Sequence, residues 1–206
     1  MFLLVSGASG VGKSTARLGA VPLLGSSVEA IELWHLGPIP AVPTIAWRQE
    51  MVELAVRRAT ALEADGRHLL MAGDPVPAGE VLAAPSAADI DVAVCLLDAD
   101  AESQSDRLRA RHEPEELLAR HLAFAAWMRV HAVDPSHLPE VVTTDAWPAM
   151  RWERWVGTQV SRHWAMTVLD TSARDPADVA HAVAAWCGKA LDGSAPVFRR
   201  GWFREP

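Results

Sequence analysis

Residues Gly7, Ala8, Ser9, Gly10, Val11, Gly12, Lys13 and Ser14 spell GASGVGKS, which fits the pattern G-x-x-x-x-G-K-[ST] at every fixed position. The chemistry open to such a run is capture of a polyphosphate. Glycines let successive backbone N–H groups converge on one phosphate, a lysine ammonium bridges its neighbours, and a serine hydroxyl can ligate Mg²⁺. Lys13 is one of two lysines in a chain that carries seventeen arginines. A compact ammonium enters a ring of amides where a planar guanidinium fits badly, so the lysine reads as a choice of shape. Residues 7–14, with Thr15 behind them, are expected to bind ATP and Mg²⁺, with Lys13 as the catalytic cation and Ser14 as a metal ligand.

The flanking elements suit that role. Residues 2–6, FLLVS, form an apolar run fit for a buried strand, and STARLGAVPLL begins a helix, giving strand, glycine turn and helix in order. Further strands are expected over 27–36, 68–73, 90–100 and 164–172. Helices are expected from the cap Thr44 to about Asp65, over 102–112 and 113–132, and from Pro176, capped by Asp175, to Leu191. A Pro/Ala-rich stretch over 75–88 holds one short helix, and a tryptophan-rich helix is placed around 146–156 within the irregular segment 134–162. Residues 193–206 read as a tail. Strands alternating with helices imply an α/β fold with a parallel sheet covered on both faces and ligands outside the strand carboxyl ends. Glu32, Asp74, Asp98 and Asp170 all follow such strands.

Composition narrows the function. With 206 residues, half of them hydrophobic and 22% charged, the chain reads as one globular domain. A net charge of −7 argues against a general nucleic-acid binder. Cys95 and Cys187 lack metal-ligand spacing and read as buried thiols in a reducing, cytoplasmic setting. No run approaches the length of a membrane span or a secretory signal. The chain contains no asparagine, so the N-K-x-D element by which GTPases read guanine is missing. The histidines show no zinc spacing, and no G-x-S-x-G occurs. Most of the nine tryptophans are expected in the core.

On residues 7–14 and the order of elements over 1–191, the chain resembles the P-loop kinases of small molecules, the group of nucleoside monophosphate, shikimate, gluconate and adenylylsulfate kinases. The resemblance implies a three-layer doubly wound sandwich with a five-stranded parallel sheet in the order 2-3-1-4-5, a helical lid over about 101–131, and a tail over 192–206. It implies transfer of the γ-phosphoryl group of ATP to a small-molecule acceptor. Asp74 then matches the acid that holds Mg²⁺ through water or touches the acceptor, and Glu32 the acid that orients or deprotonates the acceptor hydroxyl. Trp34 and His35 would line the acceptor pocket, and Arg48 would meet an acceptor phosphate. Arg107 and Arg111, four apart on one helical face, would close over the γ-phosphate, with Arg109 pointing away and Arg120 closing from the far side. Asp170 and Thr171 match the turn that cradles the nucleobase. Other readings stand beside these: ordinary i,i+4 charge pairing for the arginines, a turn-forming Asp74, and an edge carboxylate for Glu32. At the level of function the alternatives are a nucleotide-driven ATPase or switch that grips a protein partner through the VFRRGWF tail, and a degenerate kinase that only binds nucleotide. The tail could also clasp a second subunit in a homodimer.

Overall fold

The computed structural model describes residues 1–158 and 164–204. Five strands, β1 (Phe2–Ser6), β2 (Val28–Ile31), β3 (His68–Met71), β4 (Val92–Asp98) and β5 (Thr167–Asp170), pair in the order β2-β3-β1-β4-β5. Every pairing is parallel. Seven helices connect them: α1 (Lys13–Leu24), α2 (Ile45–Ala64), α3 (Ala78–Ala83), α4 (Ala101–Ala110), α5 (Glu115–His131), α6 (Glu140–Thr143) and α7 (Pro176–Leu191). This is the α/β sandwich and the strand order that the resemblance implied.

Position in the sheet explains the strand sequences. β1 is central and all five of its residues are buried, so it reads as an unbroken apolar run. Each of Phe2, Leu3, Leu4 and Val5 removed from water contributes about 1.5–3 kcal/mol. β5 lies at the edge and alternates, with Val168 open to solvent. The Thr44 hydroxyl caps α2 by accepting from the Trp47 amide at 3.1 Å. The Asp100 carboxylate does the same for α4 from Ser103 at 2.7 Å. Asp175 occupies the cap position of α7 without a side-chain capping bond.

Four sequence expectations change. The second strand stops at Ile31, because Glu32 opens a 3₁₀ turn over Leu33–His35: its amide donates to His35 Nδ1 at 2.8 Å, and the Leu33 amide turns away to Asp74 Oδ2 at 2.8 Å. The stretch 75–88 holds α3 and then a 3₁₀ turn over Pro85–Asp89. The tryptophan-rich helix reduces to a 3₁₀ turn over Trp152–Arg154. There the Arg154 guanidinium is drawn inward to the carbonyls of Leu82, Ala84 and Pro85, and the Trp155 indole donates to Gly79 O at 3.0 Å, so tertiary bonds replace a helical ladder. Residues 159–162 of the irregular segment lie outside the described residues.

The fourth change concerns the carboxyl-terminal segment. Phe198 exchanges both backbone bonds with Val92, at 2.8 and 2.9 Å, in an antiparallel bridge. Arg199 and Arg200 both bond Asp91, and Phe198 and Trp202 are buried. Their rings meet Trp164, which continues through Trp155 and His131 to Trp127 on α5. Phe198 and Trp202 of the VFRRGWF segment are therefore core, as are most of the tryptophans, while Arg199 and Arg200 stay exposed. Among the described residues no helix is long and apolar enough to cross a membrane.

Candidate active site

The glycine-rich loop leaves β1 and enters α1 at the carboxyl edge of the sheet. At Gly7, with φ of 142°, an added Cβ would stand 2.5 Å from the Leu97 carbonyl oxygen, so the loop can sit this close to β4 only without a side chain. Lys13 is 4% exposed, and its ammonium donates to Ala8 O at 2.6 Å, folding back across the loop. Burial lowers its pKa to about 7, with Arg111 pushing the same way and Asp74 and Glu32 opposing. Asp74 and Glu32 thus offset only part of the cost of burying this ammonium.

Two carboxylates converge beside it. Glu32 accepts from Arg17 at 3.0 and 3.2 Å and from the Trp34 indole at 2.6 Å. Burial would raise its pKa, but the Trp34 and Arg17 bonds outweigh it and, with a smaller contribution from the Ser14 hydroxyl, hold the carboxyl below its usual range. Asp74 shifts the other way: burial raises it and the Glu32 charge adds, against the Leu33 amide and Lys13. Between them lies Gly73, with φ of 115°, where a Cβ would meet the Glu32 carboxyl carbon at 2.6 Å. Arg17 and Gly73 were not singled out from the sequence. The available signals were a glycine directly before Asp74 and an arginine one turn after Ser14. Among the described residues no three His, Cys, Asp or Glu side chains form a metal cage. Mg²⁺ needs no such cage, since it is commonly held by one or two protein oxygens and substrate phosphates, and the exposed Ser14 hydroxyl next to Glu32 fits that donor set.

Two clefts open on either side of the loop. The first, about 360 Å³, is lined by Gly10, Val11, Gly12 and Thr15 with Arg107, Arg111 and Thr171. Thr171 is buried, and its hydroxyl meets the Val11 and Asp98 carbonyls at 3.1 and 2.9 Å. Arg107 is no loose lid arginine: it donates to Thr171 Oγ1 at 3.0 Å and to the Thr171 and Ser172 carbonyls, which fixes α4 to the loop after β5. Asp170 is exposed and turned to its own loop, accepting from the Ser172 amide and hydroxyl at 2.9 and 2.6 Å. Arg174, Pro176 and Val179, at the start of α7, complete this wall and were not anticipated. Arg109 points away, as its helical phase required, and pairs with Glu115 at 2.7 Å.

The second cleft, about 600 Å³, runs from Ser9 and Pro75 along α5 to Leu138 and is also lined by Arg48 and Arg120. Arg48 is not a free cation. Its Nε and a terminal nitrogen grip the fully buried Glu80 at 2.8 and 2.6 Å, and Gln49 donates to the same carboxylate at 3.1 Å. Glu80 gave no sequence signal, because an acid in an Ala/Pro-rich stretch looks solvated. Arg120 is exposed and has no carboxylate partner among the described residues. Trp34 and His35 stack on each other with centroids 3.9 Å apart, exposed beside Glu32, and line neither cleft. Asp98 binds Arg129 at 2.6 Å and so ties α5 to the end of β4.

The chain thus has a parallel sheet in this order, with a glycine loop between β1 and α1 and a cleft on each side of it. Solved structures that share this fold include two kinases. One is an unliganded sugar kinase from Janibacter sp. HTCC2649, with a TM-score of 0.56 and 18% identity over 93% of this chain and 96% of that one. The other is a gluconokinase from Sinorhizobium meliloti 1021, with a TM-score of 0.54 and 17% identity over 93% and 95%. At such identities the likeness is one of fold. No protein-family model matches the chain, and no curated protein sequence matches it.

Proposed function

We propose that this protein is a phosphotransferase that moves the γ-phosphoryl group of ATP to the hydroxyl of a small molecule. The observation that carries the reading is the pair of clefts meeting at one glycine loop, with Gly10, Val11, Gly12 and Thr15 facing the first and Ser9 the second. A protein that only bound or hydrolysed nucleotide would need the first cleft alone. The fold shared with a sugar kinase and a gluconokinase agrees.

In this reading the nucleotide lies in the first cleft, its base toward Thr171 and Arg174 and its polyphosphate in the amides of residues 7–14. Lys13 and Arg111 offset the charge that spreads over the transferring group. Ser14 and Glu32 are the residues that would hold Mg²⁺, which when bound neutralises phosphate charge and orients the γ-group. The sequence reading placed Asp74, with Ser14, on the metal or against the acceptor, and Glu32 on the acceptor hydroxyl as the acid that orients or deprotonates it. The opposite pKa directions favour the exchange, since Asp74, raised by burial, is the stronger base and adjoins Pro75 in the acceptor cleft.

The test is coupled ADP release over a panel of hydroxylated metabolites. A kinase shows acceptor-stimulated turnover that falls about 10²–10³-fold in Lys13→Ala, the range for loss of one transition-state charge contact. ATP binding with no stimulation by any acceptor would leave a nucleotide-binding protein instead.

A further inference from the structure

The acceptor cleft has the wrong chemistry for a polyol. Its wall is Ile45, Leu117, Phe124, Trp127, Leu138 and Val141. Each sugar hydroxyl brought here loses water, and each one left without a partner weakens binding. The polar side chains on this wall are in large part committed. Arg48 is clamped by Glu80, and His121 meets Glu113 at 3.0 Å. The Trp127 indole N–H is spent on the carbonyls of His137 and Leu138, at 3.2 and 3.1 Å. Beside them stand Arg120, which is exposed and has no carboxylate partner among the described residues, and the hydroxyl of Ser9 at the phosphate loop.

The wall is also shaped. Phe124 and Trp127 lie nearly parallel, with an interplanar angle of 17° and centroids 5.5 Å apart. Leu138, at the rim, holds φ of 44°, a left-handed conformation that is costly for a branched side chain and free for glycine. The two Trp127 bonds hold it there, and the result is a half-exposed leucyl group on the cleft.

We propose that this cleft takes a small monoanion with a flat apolar body and a single hydroxyl, a hydroxylated aromatic carboxylate rather than a sugar or sugar acid. Its carboxylate rests on Arg120, its ring on the part-exposed Phe124, which itself stacks on the buried Trp127, and its hydroxyl reaches the phosphate loop past Ser9. This rests on the kinase reading for the chemistry. The hydroxyl oxygen forms the new bond to the γ-phosphorus as the bond from that phosphorus to the β,γ-bridging oxygen breaks; ADP leaves, and the hydroxyl proton passes to Asp74.

Binding tests the class, and turnover tests the kinase reading. Hydroxymethylbenzoate is titrated into the full chain and followed by tryptophan fluorescence, beside hydroxymethylbenzamide, gluconate and AMP. Hydroxymethylbenzoate is expected to bind at least tenfold tighter than gluconate. Arg120→Ala should weaken it about tenfold, the size of one charge-assisted contact, and weaken the uncharged amide less than twofold. Arg120→Lys should restore part of the loss, and because residue 120 is exposed both variants fold. Tighter binding of gluconate or AMP, or equal effects of Arg120→Ala on acid and amide, overturns the proposal and leaves the kinase reading standing. Arg120-dependent binding of hydroxymethylbenzoate with no stimulated ADP release supports the cleft's chemistry and removes the kinase reading.

Discussion

The carboxylate of Glu32 rests on the backbone of Gly73, at a place where a single Cβ would come within 2.6 Å of its carboxyl carbon. The closeness sets Glu32 and Asp74 side by side at the ends of adjacent strands, where one carboxyl is held low and the other raised. Gly73→Ala would force a residue into φ of 115° and push Glu32 away. The expected result is a loss of turnover on the order of 10²-fold, as for a roughly 1 Å misplacement, with nucleotide affinity little changed. Steady-state kinetics beside nucleotide titration checks it.

Nucleotide binding should take up a proton. With its pKa at about 7, Lys13 is largely neutral at pH 8 in the free protein. Phosphate oxygens favour the ammonium and raise that pKa, so the complex holds up to about one proton more. Affinity should therefore weaken as pH rises above 7, by up to about tenfold per pH unit until the raised pKa is passed. Calorimetry at pH 8 in buffers of different ionisation enthalpy measures the uptake. Lys13→Met should abolish it.

The Arg48–Glu80 pair should matter more for its breaking than for its presence. Arg48→Ala leaves a sealed carboxylate with only Gln49 as donor, at an expected cost of about 3 kcal/mol. Replacing both residues with methionine removes the stranded charge, and most of the loss should return. Urea denaturation of the single and double variants decides this. Equal losses in both would mean the pair itself stabilises the fold.

His131 gives the fold a pH dependence. It sits in the tryptophan cluster, its Nε2 accepts from the Gly79 amide at 3.2 Å, and its Nδ1 is buried with no partner among the described residues. Burial lowers its pKa from 6.5 to about 4, with Asp134 opposing. The unfolded chain thus takes up the proton first. Stability that is complete above pH 6.5 drains away as pH falls toward 4, to a limit of about 3 kcal/mol. His131→Gln keeps an acceptor for Gly79, and its unfolding free energy should vary less over that range.

Much of the fold was legible because its signals are local. The unbroken apolar runs of β1 and β4, the Thr44 cap and the helical phase that turns Arg109 outward depend on neighbours in the chain. Where the reading failed, a distant group had intervened. Asp74 draws the Leu33 amide out of the second strand from 41 residues away, and Val92 recruits the last segment into the core.

The same division holds for the site. GASGVGKS by itself determined the glycine loop and its inward lysine, because close main-chain approach and a compact cation are properties of glycine and lysine wherever the loop lies. Only the tertiary structure decided which charges are spent. Arg48 is neutralised by Glu80 and Glu32 by Arg17, Arg107 is tied by hydrogen bonds to the carbonyls of Thr171 and Ser172, and Arg120 has no carboxylate partner among the described residues. Sequence gives each cation the same charge; what that charge can do depends on the desolvation and the partners that packing supplies.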